Sequence, residues 1–183
     1  MTATPGPARA RRPGALAVML GVALAVLTAD AVSKTLVLER LPGHPPVRLL
    51  GVLITLSLTR NAGAAFGVGP SYTVIIALIA CGVIAFIIRT AGRLRSLAWS
   101  VALGLLLGGA AGNLGDRLLR SPGPMRGRVV DWINLPHFPW TFNLADSAIV
   151  GAAALMALLA LRDIRIDGTP TRSSTRPLPG QAP

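Results

Sequence analysis

A chain of 183 residues that is 52% hydrophobic and 14% charged, with a mean hydropathy of +0.60, is too apolar for an ordinary soluble domain, where about a quarter of residues carry charge. Its net charge of +11 comes from seventeen arginines and one lysine that flank apolar blocks with almost no interleaved aromatics. That pattern argues against a nucleic-acid surface and for charge that orients a membrane protein. One cysteine, Cys81, rules out an internal disulfide; it sits in an apolar block and reads as a lipid-facing or helix-packing residue.

Residues 1–13 form a Pro/Ala/Arg tail, with Arg9, Arg11 and Arg12 ahead of the first apolar block at 14–29. Such a start resembles a secretory signal peptide, and Ala29-Asp30-Ala31 mimics a cleavage site. Apolar residues resume after Lys34, however, and three further blocks follow, which predicts that the segment stays as helix 1. Asp30 and Lys34 are four apart and share a helix face. They form either a helix-end pair that snorkels to the interface or part of a site.

After a Pro/Gly turn containing His44, residues 47–59 are apolar and β-branched but too short to span as a helix. They predict one strand at or just above the membrane surface. The strand leads into Arg60-Asn61-Ala62-Gly63-Ala64-Ala65-Phe66-Gly67, where Asn61 is either a plain turn former or an amide able to bond a peptide backbone.

The second span is predicted at 72–88 and is followed by a basic loop with Arg89, Arg93 and Arg95. The third, at 97–114, would run about 27 Å and ends in Gly108-Gly109-Ala110-Ala111-Gly112, small enough for another backbone to approach closely. Asn113, Asp116 and Arg117 are then expected at the water edge, with Asp116 pairing with Arg117 or another cation, or capping a turn. A Pro/Gly-rich connection leads to a short strand at 129–133 that points Asp131 opposite to its neighbours. Trp132, Phe138 and Trp140 fit an interfacial aromatic belt. Asn143 and Asp146 are three apart at the start of the fourth span, 144–161, and share a face. There the helix N-terminus favours the ionised form of Asp146, while lipid burial favours the neutral one.

Four spans place both termini on one side. With Lys34, Arg60 and Arg117 set aside as members of site motifs, ten arginines fall on the side of the termini and the middle loop, and five on the other. The excess predicts cytoplasmic termini and acids at the outer face. The chain thus divides into a basic cytoplasmic tail at 1–13, a four-helix membrane domain at 14–165 and a Ser/Thr/Pro/Arg-rich cytoplasmic tail at 166–183, too poor in apolar residues to fold alone.

Three of the seven acidic residues, Asp116, Asp131 and Asp146, lie within 108–149. Carboxylates at a membrane edge are costly, so they point to a site. A four-helix proton-coupled transporter would place an acid near the bilayer midplane and use tight loops. Here the acids lie at span ends, and a connection of roughly thirty residues separates spans three and four, long for a compact domain unless it is functional. Paired carboxylates therefore favour a hydrolase. His44 and His137 are isolated, which disfavours a metal centre, and no cofactor is expected.

Taken together, five stretches resemble the lipoprotein signal peptidase family, the membrane aspartyl peptidases called signal peptidase II. They are Asp30-x-x-x-Lys34, Asn61-x-Gly63-Ala-Ala-Phe66, Gly108-Gly-Ala-x-Gly-Asn113-x-x-Asp116-Arg117, Val129-Val-Asp131 and Phe142-Asn143-x-Ala145-Asp146-Ser147. Trp132 stands where that family more often has Phe. The resemblance implies a four-helix membrane protein with a small extracytoplasmic β-cradle, working as a monomer in the bacterial cytoplasmic membrane among its lipids. It further implies removal of the signal peptide from a lipidated prolipoprotein, on the amino side of the diacylglyceryl-modified cysteine. By motif position Asp131 and Asp146 would be the catalytic dyad. Asn61, Asn113, Asp116, Arg117, Asn143 and Ala145 would shape the site, with Asp30 and Lys34 as support from helix 1.

Overall fold

The computed structural model describes residues 13–51, 53–63 and 72–167. The terminal segments 1–12 and 168–183, and the turn residues 64–67 with Phe66, lie outside the described residues. The elements in chain order are α1 (Pro13–Arg40), β1 (Val47–Leu49), β2 (Ile54–Asn61), α2 (Tyr72–Ala91), α3 (Leu97–Leu119), β3 (Val129–Asn134) and α4 (Leu144–Leu161). All four helices are long and apolar enough to cross a membrane.

Helix α3 is the centre of the bundle and packs against α1, α2 and α4. Its mean hydropathy of 1.5 is the lowest of the four spans, against 2.6 for α2, because small residues facing other helices replace the large ones that would face lipid. A Cβ added at Gly104 or Gly108 would come within 2.7 or 2.6 Å of the Met19 or Ala23 carbonyl oxygen of α1. One added at Gly109 would come within 2.5 Å of the Ala145 carbonyl oxygen of α4. Two small-residue faces on one helix thus let two neighbours approach at backbone contact, a packing that needs no hydrophobic drive in lipid.

At the end carrying the basic loop, Ala15, Met19, Ile87, Leu94 and Leu103 form a buried cluster, and Ile166 packs against it. The Trp99 indole N–H donates to the Ile164 carbonyl at 2.7 Å, and the amides of Arg95 and Ser96 donate to that of Ile166. The packed chain therefore continues through Ile166, one residue past the boundary suggested by composition.

Helix α1 runs eleven residues beyond the apolar block ending at Ala29, and its 28 residues span about 42 Å, longer than the roughly 30 Å hydrocarbon core. Helix α3 likewise extends to Leu119, so Asp116 and Arg117 belong to its last turns and are buried, not at a water edge. The single strand expected at 47–59 is instead a hairpin. Leu50 and Gly51 take positive φ at +50° and +72° and reverse the chain between β1 and β2.

The sheet order is β1-β2-β3, all antiparallel, with Thr59 opposite Asp131 and Asn61 opposite Val129. Beyond β3 the chain folds back, and Phe142 pairs with Ile133 through backbone bonds in both directions. That return sets Asn143 beside Asp131. Phe138 and Trp140 are exposed and stack edge to face at 5.3 Å, whereas the Trp132 indole nitrogen is buried, so Trp132 does not join an exposed belt.

Candidate active site

The site is assembled where the end of α3, the start of α4, the outer part of α1 and the strands β2 and β3 meet. Asp131 is 1% exposed on β3, and both of its oxygens accept hydrogen bonds. Oδ1 accepts from Asn143 Nδ2 at 2.6 Å and Oδ2 from Asn61 Nδ2 at 3.0 Å. Asn61 reaches it as the diagonal cross-strand neighbour, a distance long side chains bridge. The Asn61 Oδ1 accepts the amide of Gly63 at 2.8 Å, which sets which end of the side chain faces the acid.

Asp146 is the third residue of α4 and is half-buried. Asn143 and Asp146 form a reciprocal cap: Asn143 Oδ1 accepts the Asp146 amide at 2.9 Å, and Asp146 Oδ2 accepts the Asn143 amide at 3.3 Å. This arrangement satisfies two of the helix's orphan donors. Asp146 Oδ1 accepts from Asn113 Nδ2 at 2.7 Å. One residue, Asn143, therefore caps the helix that carries Asp146 and also donates to Asp131, which ties the two acids together.

Burial pushes the Asp131 carboxyl up to about 6, and the neighbouring charge of Asp146 adds to the rise; the donors on Asn61 and Asn143, and the Lys34 charge, pull it down. Desolvation is the largest of these effects because a buried carboxylate loses water that two amide donors only partly replace.

Behind the two acids lies a buried ionic cluster. Lys34 Nζ, 1% exposed, contacts Asp30 Oδ2 at 2.6 Å, Asp116 Oδ2 at 2.9 Å and Asn113 Oδ1 at 3.2 Å. The Asp30–Lys34 pair is thus interior and does not snorkel to an interface. Asp30 Oδ1 accepts the amide of Ala145 at 3.0 Å, joining α1 to the first turn of α4, and Ala145 is fully buried. Asp116 Oδ2 accepts the amide of Val130 at 3.1 Å, joining α3 to β3, and Oδ1 pairs with Arg120. The partners of Asp116 are therefore Lys34 and Arg120, not Arg117. Arg117 is 8% exposed, donates through Nη1 to the Asn113 carbonyl at 3.1 Å and keeps Nε buried without a partner among the described residues. The carboxylates of Asp146, Asp131 and Asp116 act on its charge, in that order.

All ten residues singled out from the sequence fall in this one region. Asp131 and Asp146 stand at its centre with Asn61, Asn113 and Asn143 bonded to them. Asp30, Lys34, Asp116 and Ala145 form the layer behind, and Arg117 lies alongside. Sequence reasoning missed Arg120, although its spacing four residues after Asp116 on a helix was the available signal. Two carboxyl groups of unequal burial, linked by amides, can share one proton and divide acid and base roles between them.

A family model described as signal peptidase (SPase) II matches residues 22–162. The chain is 48% identical over 163 residues to the lipoprotein signal peptidase of Streptomyces coelicolor, covering 89% of this chain and 79% of that one. It is 44% identical over 149 residues to the lipoprotein signal peptidase of Mycobacterium tuberculosis strain H37Rv, covering 81% and 73%. Two solved structures of a bacterial membrane enzyme, at 2.3 and 1.9 Å resolution, superpose with a TM-score of 0.71 at 25% identity, over 84% of this chain and 91% and 96% of theirs. The four apolar helices, the small sheet and the matched length agree, and the chain belongs to the signal peptidase II family of membrane aspartic peptidases.

Proposed function

We propose that this protein removes the signal peptide from diacylglyceryl-modified prolipoproteins, cleaving on the amino side of the lipidated cysteine, with Asp131 and Asp146 as its catalytic dyad. The observation that carries this reading is the side chain of Asn143, which caps the helix bearing Asp146 and donates to Asp131 at 2.6 Å. It holds two acids of different burial against one another. The lipid substrate and the membrane-edge position of the acids belong to the same reading, as do a monomer with cytoplasmic termini and a site at the outer face of a bacterial cytoplasmic membrane.

In this mechanism the pair begins with one proton. The ionised carboxylate takes a proton from a water as that water adds to the scissile carbonyl. The protonated carboxyl donates to the carbonyl oxygen, giving a neutral tetrahedral gem-diol. The C–N bond then breaks as the newly protonated acid delivers its proton to the leaving nitrogen, and a gem-diol hydroxyl returns a proton to the other carboxylate. The products are a signal peptide ending in a carboxyl group and a lipoprotein with a free cysteine amine, and the dyad regains its starting state. Arg117 Nε, a buried donor with no partner among the described residues, supports a role in bonding a bound peptide, since such donors are rarely left unmade.

Purified protein given a lipidated prolipoprotein in lipid should release the signal peptide. Asp131→Asn and Asp146→Asn should each reduce cleavage by about a thousandfold or more, and the double variant should be little worse than either single, as for members of one catalytic unit. A correctly inserted single variant that cleaves at near the wild-type rate would overturn the assignment.

A further inference from the structure

We propose that Lys34 is a positioning residue for the dyad: by fixing the amide of Asn113 it aims that side chain's donor at Asp146 Oδ1 and so stabilises the singly ionised pair. This deepens the reading of Asp131 and Asp146 as the dyad and rests on it.

An ammonium group only donates, so it must face an oxygen. Lys34 Nζ lies 3.2 Å from Asn113 Oδ1, and Asn143 Nδ2 lies 3.2 Å from the same oxygen. With two donors on its oxygen, the Asn113 amide has one orientation, which turns Nδ2 toward Asp146 Oδ1 at 2.7 Å. A donor aimed at that oxygen stabilises the carboxylate form and opposes the acid form, whose proton needs an acceptor. Lys34 is itself immobilised, 1% exposed and held by Asp30 and Asp116, so the orientation is set from helix α1, outside the reacting pair.

The surroundings of the two acids differ in kind. Asp146 is half-buried in the first turn of α4, where orphan amides and the helix dipole favour negative charge. Asp131 is 1% exposed on a strand, without a helix terminus. Asn143 serves both acids through different atoms, giving Asp131 its Nδ2 and Asp146 its backbone amide, and so does not by itself choose between them. Asn113 donates to Asp146 as Asn61 donates to Asp131, and of these two amides it is Asn113 that Lys34 orients from α1. Besides the two acids, the charged groups of the site are Arg117 and Asp116 from α3, with Arg120 at its end, and Lys34 and Asp30 from α1. Lys34 and Asn113 are therefore the route by which α1 biases the pair.

The test is the pH dependence of kcat/KM for cleavage of a lipidated prolipoprotein by the full chain, measured for wild type, Lys34→Met, Asn113→Ala and the double variant. Loss of one hydrogen bond to a charged acceptor should move the acidic limb, which belongs to the pair, upward by about one pH unit in either single variant, roughly a tenfold rate loss below that limb. In the Asn113→Ala background, Lys34→Met should move it little further. Asn113→Ala leaves the Lys34–Asp30–Asp116 cluster intact and carries the test alone if Lys34→Met does not fold. A limb that stays in place in Asn113→Ala, with rates lowered equally at all pH, would overturn the proposal. So would a Lys34→Met shift that persists in full without Asn113, which would mean action through space. Either result leaves the dyad standing, because the dyad fails only if Asp131→Asn or Asp146→Asn remains active.

Discussion

Replacing Asp131 with Asn should abolish activity and make the protein's stability, measured against wild type, rise from low pH to high pH. The folded state holds the Asp131 proton up to about pH 6, whereas the ordinary value is 3.8. Between those values the folded protein binds a proton that the unfolded chain releases. This contribution is present in full below about 3.8, shrinks as pH rises and is gone once pH passes through about 6. With the acid 1% exposed, a difference of about two pKa units corresponds to about 3 kcal/mol over the whole window. About 2 kcal/mol of it falls between pH 4.5 and 8.

An Asn at position 131 is neutral at both values of pH and lacks this dependence. It does set an amide against donors from Asn61 or Asn143, which costs about 1–3 kcal/mol, but equally at each pH. The informative quantity is therefore a difference of differences. Denaturant unfolding of both proteins in the same detergent, at pH 4.5 and at pH 8, should show the variant gaining about 2 kcal/mol on wild type at the higher pH. A gap that does not change with pH, or that moves toward wild type at pH 8, would refute the account of Asp131 as an acid destabilised by its own burial.

Two further outcomes follow from the fold. Gly112→Ala would place a Cβ 2.6 Å from Asp30 Oδ2, which bonds Lys34, whereas a Cβ at Gly115 on the same helix meets nothing within 4 Å; cleavage should fall at least about tenfold in the first and stay near wild type in Gly115→Ala, and equal effects would show that the Asp30 contact does not set the site. Reporter fusions after Arg95 should register cytoplasm and those within 120–128 the outer side, as the arginine excess requires, and an outside signal at Arg95 would reverse the placement of the site.

The spans were legible because lipid demands long apolar blocks whatever the packing, and the strand at 129–133 because two valines flank an acid. Helix ends were less so. The apolar block of α1 stops at Ala29, yet the helix runs to Arg40, since Asp30 and Lys34 are interior partners and not signs of an exit to water. Asp116 and Arg117 are the same case: charge in a sequence suggests exposure, but Lys34 of α1 and Arg120 at the end of α3 pair with Asp116, and Arg117 is enclosed. The hairpin was hidden because its reversal uses Leu50 and one glycine inside an apolar run, without the Asn-Gly or Asp-Gly that marks such turns. At the site, Asn143-x-x-Asp146 carries the spacing of a reciprocal helix cap, so the frame of one acid could be read locally. What no local pattern contains is that the amide capping α4 also reaches Asp131 on β3, for that depends on the fold-back pairing of Phe142 with Ile133.

The buried ions behind Asp131 and Asp146 are poorly explained as a source of stability, because a buried pair regains at best about what its desolvation costs, and apolar side chains of similar volume often do as well. The backbone contacts at Gly104, Gly108 and Gly109 already bring the helices together. What the ions add is direction. Asp30 fixes the first turn of α4 through the Ala145 amide, Asp116 fixes β3 through the Val130 amide, and Lys34 binds both carboxylates and orients Asn113. Asp146 is carried by the first of those elements and Asp131 by the second, so one lysine ammonium on α1 sets the position of each against the other. A junction of leucines would pack as tightly but slide, whereas a reacting pair tolerates an error of only about half an ångström. The cost of burying charge is thus offset in the geometry of Asp131 and Asp146, which explains why Asp30, Lys34, Asn113 and Asp116 cluster behind them in a chain that is otherwise built to face lipid.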